Sequence, residues 1–152
     1  MIVLPDVNVL IAVAWPEHTL HATALEWFDA HADEGWATCA ITESGFMRIS
    51  ANANVVQTPV RPAESAALLL ELRGVGAHRF WNDLEEPSTS PLFARERLIG
   101  HRQVTDAHLL CISRQNQGSL ATFDRGVQVL ARGLADADVT LIESGDGGRS
   151  RG

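Results

Sequence analysis

The chain has 152 residues, of which 45% are apolar, and a formal net charge of −7. This is the size of one compact domain, whose core is large enough to need neither disulfides nor a structural metal. All 12 basic residues are Arg, and the sequence contains neither Lys nor Tyr. Walker-type phosphate loops, Schiff-base catalysis and dehydrogenase chemistry built on a Tyr and Lys pair are therefore excluded.

Helical segments alternate with short strand-like runs along the chain. In chain order the predicted elements are a strand over 2–4, helices over 7–15 and 19–34, a strand over 36–39, helices over 42–49 and 62–73, a strand over 78–81, a helix opening at 104–106 and running to 112, a strand over 119–123, a helix over 124–130 and a strand over 139–142. The segment 83–90 is an expected exposed loop. This alternation predicts an α/β fold, a three-layer α/β/α sandwich with a central parallel sheet over residues 1–142. Residues 143–152 are expected to be a disordered tail.

The thiols and the termini bear on the cellular compartment. Cys39 and Cys111 are far apart and lack the spacing of a zinc ribbon or a redox pair, so we interpret both as small buried residues of a reduced, cytoplasmic protein. The N-terminus lacks the basic start of a signal peptide. The longest apolar stretch, 9–15, is far shorter than the roughly 20 residues of a membrane span. We expect no membrane association.

Four acidic residues share a position in this pattern. Asp6, Glu43, Asp106 and Asp124 each lie at or just after the point where a strand or loop leads into a helix. The carboxyl ends of parallel strands lie along one edge of a sheet, and ligand sites form outside that edge. Acids far apart in sequence are therefore expected to converge. Taken singly, each is better explained as a helix cap.

Converging carboxylates predict a cation. In a partly dehydrated cleft they repel one another, and raised pKa values or a bound cation relieve the repulsion. An all-oxygen donor set suits Mg²⁺ or Mn²⁺ better than Zn²⁺. Such an ion can activate a water molecule against a phosphodiester and neutralise the charge that develops there. The acids thus predict a metal-dependent nuclease, with one or two ions.

Four segments carry a resemblance to a known family. They are residues 2–10, 40–49, 104–110 and 120–124, which read IVLPDVNVL, AITESGFMRI, VTDAHLL and LATFD. In this order and at these separations they resemble PIN-domain ribonucleases, specifically VapC-type toxins of toxin–antitoxin modules. The likeness spans residues 2 to about 142, and the segment 83–97 has no dependable match.

The resemblance implies an α/β/α domain that cleaves RNA with Mg²⁺ or Mn²⁺. Its acidic quartet maps onto the four acids named above, of which Asp6 and Asp106 match best as metal ligands. Glu43 and Asp124 would complete the metal shell or orient the water. The supporting residues that the resemblance implies are Asn8, Thr105 and Thr122. It also implies a structured RNA substrate (transfer or ribosomal RNA), a homodimer, and a VapB-like antitoxin whose tail occupies the catalytic groove.

Some residues outside the acidic set are candidates for RNA contacts. A net charge of −7 argues against indiscriminate RNA binding, so any RNA contact would need a local basic rim. The Arg residues that could form it, each also explicable as a solvated surface residue, are Arg48, Arg95, Arg97 and Arg102. The aromatic residues that could stack on bases, but that we expect in the core or at a dimer contact, are Trp27, Phe28, Phe46, Phe80 and Trp81.

Three histidines have competing interpretations. His18 and His21 have the spacing of metal ligands, but they lack a nearby third ligand and fit a surface or capping role better. His108 is a candidate general acid near Asp106, although a packed or hydrogen-bonded histidine is the simpler reading.

Two other functions remain open. A receiver-type phosphoacceptor domain also places acids at the strand ends of a parallel sheet, but it uses a Lys that this chain lacks. A PIN-like fold without catalysis would be a binding module. Incubation with a small phosphodonor, followed by intact-mass measurement, tests the receiver reading, and Mg²⁺ binding without RNA cleavage would favour the binding module.

Overall fold

The computed structural model describes residues 1–84, 86–90 and 100–144. In chain order its elements are β1 (Val3–Pro5), α1 (Val7–Ala14), α2 (His21–His31), β2 (Trp36–Cys39), α3 (Ala40–Ser50), α4 (Pro62–Arg73), β3 (His78–Trp81), α5 (His101–Gln115), β4 (Ser119–Thr122), α6 (Arg125–Ala131) and β5 (Val139–Leu141). The predicted order of strands and helices is confirmed.

All five strands of the described sheet are parallel and lie in the order β3-β2-β1-β4-β5. Val3 of β1 pairs with Trp36 on one side and with Ser119 on the other. From the central β1 the chain builds outward through β2 and β3, and it later returns to add β4 and β5 on the other side. The strand order therefore reverses between β1 and β4, the place where open α/β sheets bind ligands.

Each face of the sheet carries its own hydrophobic core. Successive residues of a strand point to opposite faces. Val3 and Trp36 pack among residues of α1 to α4. Leu4 and Leu120 pack on the other face among residues of α5 and α6, which include Leu109. The expected three-layer α/β/α arrangement is confirmed.

Two helices begin earlier than expected. Thr42 was the expected cap of α3, but the helix begins at Ala40 and the Thr42 hydroxyl accepts a hydrogen bond from the Cys39 N–H (3.0 Å). Thr42 therefore stabilises the first turn of α3 as its third residue and is not the residue before the helix. Helix α5 begins at His101 rather than at 104–106. Its first turn is polar and has no side-chain cap, so neither apolar spacing nor a cap residue marks its start.

Several smaller expectations have clear outcomes. Cys39 and Cys111 are buried free thiols, as predicted. His18 Nδ1 accepts a hydrogen bond from the Leu20 N–H (3.0 Å), and His21 Nδ1 lies 2.7 Å from the Ala12 carbonyl, so local structural contacts explain both histidines. None of the helices in the described segments combines the length and the apolar character that crossing a bilayer requires. The expected tail lies almost wholly in 145–152, outside the described residues.

Candidate active site

Asp6 begins helix α1 directly after β1 and is held in place from several sides. Its Oδ1 accepts a hydrogen bond from the Val9 N–H (2.9 Å), and its own N–H donates to the Ala121 carbonyl of the neighbouring β4 (2.9 Å). The residue is only 8% exposed. Burial raises the pKa of Asp6, even though hydrogen bonds from the Thr122 hydroxyl and from backbone N–H groups favour the ionised form.

Asp124 begins helix α6 after β4, the strand beside β1. Its Oδ1 accepts from the Gly126 N–H (2.7 Å), and its N–H donates to Thr122 Oγ1 (3.1 Å). The same buried Thr122 hydroxyl favours the ionised form of Asp6 and so lowers its pKa. Thr122 therefore acts on both acids.

Asp106 approaches these two acids from the middle of α5, where it is the sixth helical residue. The expectation that it marks a helix start is therefore wrong, because the helix already begins at His101. Burial and the nearby carboxylates of Asp6 and Asp124 raise the pKa of Asp106 to about 6. The structure thus brings three of the four predicted acids into electrostatic contact.

Glu43, the fourth predicted acid, is engaged elsewhere. The buried Thr38 hydroxyl of β2 donates to Glu43 Oε1 (2.6 Å), and Arg73 Nη1 at the end of α4 lies 3.2 Å from the same oxygen. His78 Nε2 of β3 lies 2.8 Å from the Thr38 oxygen. Because the only hydroxyl proton goes to Glu43, His78 Nε2 must carry a proton and donate. Glu43 is thus fixed by a network on the β2–β3 side.

The acids fit a hard cation by chemistry rather than by preformed geometry. Among the described residues, His, Cys, Asp and Glu side chains form no group of three or more at metal-holding spacing. The donor set is nevertheless all oxygen, which suits Mg²⁺ or Mn²⁺. Repulsion among Asp6, Asp106 and Asp124 is the condition that a doubly charged ion relieves.

The predicted supporting residues differ in their placement. Thr122 contacts two acids, as described above. Asn8 reaches the Asp6 carboxylate through its backbone N–H, while its side chain is exposed. Thr105 is an exposed residue of α5. Arg48 is exposed in the last turn of α3, where its positive charge interacts favourably with the helix dipole. Arg95 and Arg97 lie outside the described residues, as does the side chain of Arg102.

Two residues near the site were not singled out from the sequence. Asp83 follows β3 at the same edge of the sheet and contacts His108 Nε2 of α5. His108 is therefore paired, as the simpler reading held. In the sequence Arg73 only ends a predicted helix, whereas in the structure it contacts Glu43. The rule that found the other acids, a carboxylate directly after a strand, would also have found Asp83, whereas nothing local marks Arg73.

Comparisons with known proteins identify relatives in sequence and in fold. No protein-family model matches the sequence. Ribonuclease VapC38 of Mycobacterium tuberculosis is 44% identical over 142 residues, which cover 91% of this chain and 96% of that protein. Ribonuclease VapC39 of the same organism is 42% identical over 124 residues, which cover 82% of this chain and 89% of that protein.

Solved structures share the fold. The structure of FitAB bound to an IR36 DNA fragment matches with a TM-score of 0.59 at 18% identity and covers 93% of this chain and 94% of that one. VapBC2 from Rickettsia felis, bound to a DNA fragment from its promoter, matches with a TM-score of 0.57 at 10% identity. The match covers 94% of this chain and 100% of that one. Sequence identity above 40% over most of both chains shows that this protein belongs to the VapC ribonuclease family.

Proposed function

We propose that the protein is a Mg²⁺-dependent endoribonuclease, the toxin of a toxin–antitoxin pair, and that it hydrolyses phosphodiester bonds in a structured RNA such as a transfer or ribosomal RNA. The observation that carries the proposal is the placement of Asp6, Asp106 and Asp124 near one another at the point where the strand order reverses. Membership of the VapC family supports the RNA substrate.

Asp6 and Asp106 are the residues proposed to hold the metal. Asp6 is buried and fixed by hydrogen bonds, and Asp106 projects from an independent helix, so the two offer oxygens from different directions. A bound Mg²⁺, for which Mn²⁺ can substitute, would supply the positive charge that activates a water molecule and neutralises the phosphate.

Asp124 and Glu43 are proposed to complete the shell or to orient the attacking water. Both are held by hydrogen bonds to a threonine at the end of a strand, Thr122 for Asp124 and Thr38 for Glu43. In the reaction, the water oxygen bonds to phosphorus, the bridging P–O bond breaks, and the leaving oxygen takes up a proton. The enzyme forms no covalent bond to the RNA.

The proposed partners follow from the family. Solved relatives of this fold are VapBC and FitAB complexes, which supports a VapB-like antitoxin as the partner of this chain. A homodimer is proposed on the same family grounds. Its test is the molar mass in solution, measured by light scattering on the chain with and without its antitoxin.

The test of the activity compares three proteins on transfer and ribosomal RNA with Mg²⁺ and with a chelator. Asp6→Asn keeps an oxygen that can cap α1 but removes the charge, so we expect a folded protein that does not cleave. Asp33→Asn is the matched control, because Asp33 is exposed and precedes β2 at the opposite edge of the sheet. Sequencing of new RNA 5′ ends gives the cut sites.

Two outcomes would contradict the proposal. Equal cleavage by wild type and Asp6→Asn would remove Asp6 from the mechanism. Mg²⁺ binding without cleavage of any RNA would leave a binding module.

A further inference from the structure

The edge strand β3 presents an aromatic ring to solvent. Phe80 is 43% exposed, which rules out the core position considered for it, and the Arg73 guanidinium lies over its ring, 5.8 Å from the centroid. The other aromatic candidates are less accessible: Phe28, Phe46 and Trp81 are buried and Trp27 is partly buried. Phe80 is therefore the member of that set with a ring surface open to a ligand.

This ring is continuous with the candidate active site. Phe80 pairs in register with Thr38 of β2, so the two side chains point to the same face of the sheet. Thr38 donates to Glu43, and Arg73 contacts both Glu43 and the Phe80 ring. Contacts thus join the exposed aromatic surface to Glu43, the fourth acid of the proposed active site.

Arg73 supplies positive charge where an anionic substrate needs it. The protein carries a net charge of −7, and its site is built from carboxylates, so RNA approaching the site meets a repulsive field. The Arg73 side chain is about one-third exposed (32%) and uses Nη1 for Glu43. A guanidinium has five N–H donors, so other donors remain for a phosphate oxygen.

We propose that Arg73 and Phe80 form a nucleotide-binding subsite for the RNA substrate, in which a base stacks on Phe80 and the adjoining phosphate binds Arg73. The inference rests on the proposed ribonuclease function and adds a specificity element to it. Exposed aromatic rings flanked by cations are the means by which proteins hold single-stranded nucleic acid. One ring between charged groups offers little apolar area to a folded protein partner, whose stable interface needs roughly 800 Å² on each side.

The test measures binding of a fluorescein-labelled single-stranded RNA of about 10 nucleotides, a length typical of such sites, to the full chain carrying Asp6→Asn, which prevents cleavage. Stacking on one ring contributes enough that Phe80→Ala should weaken binding about tenfold, while Phe80→Trp should retain it. Arg73→Gln should weaken binding and lower the salt dependence by about one phosphate contact. Phe80→Leu replaces Phe80→Ala if the alanine variant does not fold.

Arg79→Ala is the matched control, because Arg79 is exposed on the same strand but points to the opposite face. It removes the same charge as Arg73→Gln but lies on the face of the sheet away from the subsite, so it should leave RNA affinity nearly unchanged. RNA binding that is unaltered by Phe80→Ala and Phe80→Leu overturns the subsite. So does an effect confined to antitoxin binding, which would make the surface a protein contact. If wild type cleaves no RNA, the ribonuclease function itself fails, and the two failures are thereby distinguished.

Discussion

Asp106 in the middle of α5 and Asp6 at the start of α1 lie close enough for their carboxylates to repel each other. Burial, then Asp6 and Asp124, raise the pKa of Asp106 to about 6. Without a cation, ionisation of Asp106 at neutral pH therefore costs the folded state free energy that the unfolded chain does not lose.

Asp106→Asn should make the metal-free protein more stable at pH 7 to 8. A carboxyl whose pKa is raised on folding contributes stability below its unfolded pKa of 3.8 and loses it as the pH rises through about 6. Since Asp106 is only half-buried, solvent screening reduces the expected gain to roughly 1 kcal/mol, or about 2–4 °C in Tm. Thermal melting in chelator from pH 3.5 to 8 measures it. A gain that is independent of pH would contradict the assigned cause, and Asp33→Asn serves as the exposed-acid control.

Mg²⁺ should raise the Tm of the wild-type protein. An ion that binds only the folded state stabilises it by mass action, by about 2.7 kcal/mol at a concentration 100 times Kd, and here it also relieves repulsion. Asp106→Asn should lose most of the shift. Melting with MgCl₂ against NaCl of equal ionic strength separates binding from screening. If the Asn variant responds to Mg²⁺ as wild type does, Asp106 is not a ligand.

Thr122→Val should reduce activity about 10- to 100-fold, as is usual when a group that orients metal ligands is lost. The change removes the hydroxyl that accepts from the Asp124 N–H and that favours ionised Asp6. Because Asp124 is an exposed residue, the loss should also cost about 0.5–1.5 kcal/mol of stability, the usual net value of one hydrogen bond. Thr122→Ser retains the hydroxyl and should restore most of the rate. Single-turnover cleavage and urea unfolding give the two quantities. A serine variant as slow as the valine variant would show that shape at this position matters more than the hydrogen bonds.

Gly45→Ala should destabilise the protein although alanine favours helices. A Cβ at Gly45 of α3 would lie 2.7 Å from Val7 Cγ2 of α1, and the stiff, β-branched Val7 has little freedom to move. Overpacking of about 1–3 kcal/mol outweighs the helix gain of about 1 kcal/mol. In a Val7→Ala background the clash is gone, so the same change should stabilise. Urea unfolding of wild type, the two single variants and the double variant gives the free energies of unfolding. If Gly45→Ala changes this free energy equally with and without Val7→Ala, the packing argument is refuted.

The layers and the order of elements could be predicted from sequence because the signals are local. Apolar runs and the turn residues around them define the strands, and helical spacing defines the helices. Asp6 and Asp124 could be placed together because both follow a strand of a parallel sheet. In each case a short stretch of sequence contains the information.

The remaining features depend on contacts between distant residues. Nothing near Arg73 or Glu43 predicts their pairing, since α4 and α3 meet only through the packing of the whole layer. Phe80 reads like a core aromatic, yet it is exposed while Trp81, the next residue of the same edge strand, is buried. The early start of α5 carries no cap, so the place of Asp106 within the helix was missed.

Asp6 and Asp124 each cap a helix, and that structural duty needs only an acceptor oxygen, which an amide also provides. A single change of carboxylate to amide at Asp6 would thus preserve the fold, and under the proposed function it would abolish RNA cleavage. A gene that acquired it would then encode an inert copy that the proposed antitoxin still binds, and this copy would lower the amount of antitoxin available to restrain an intact toxin.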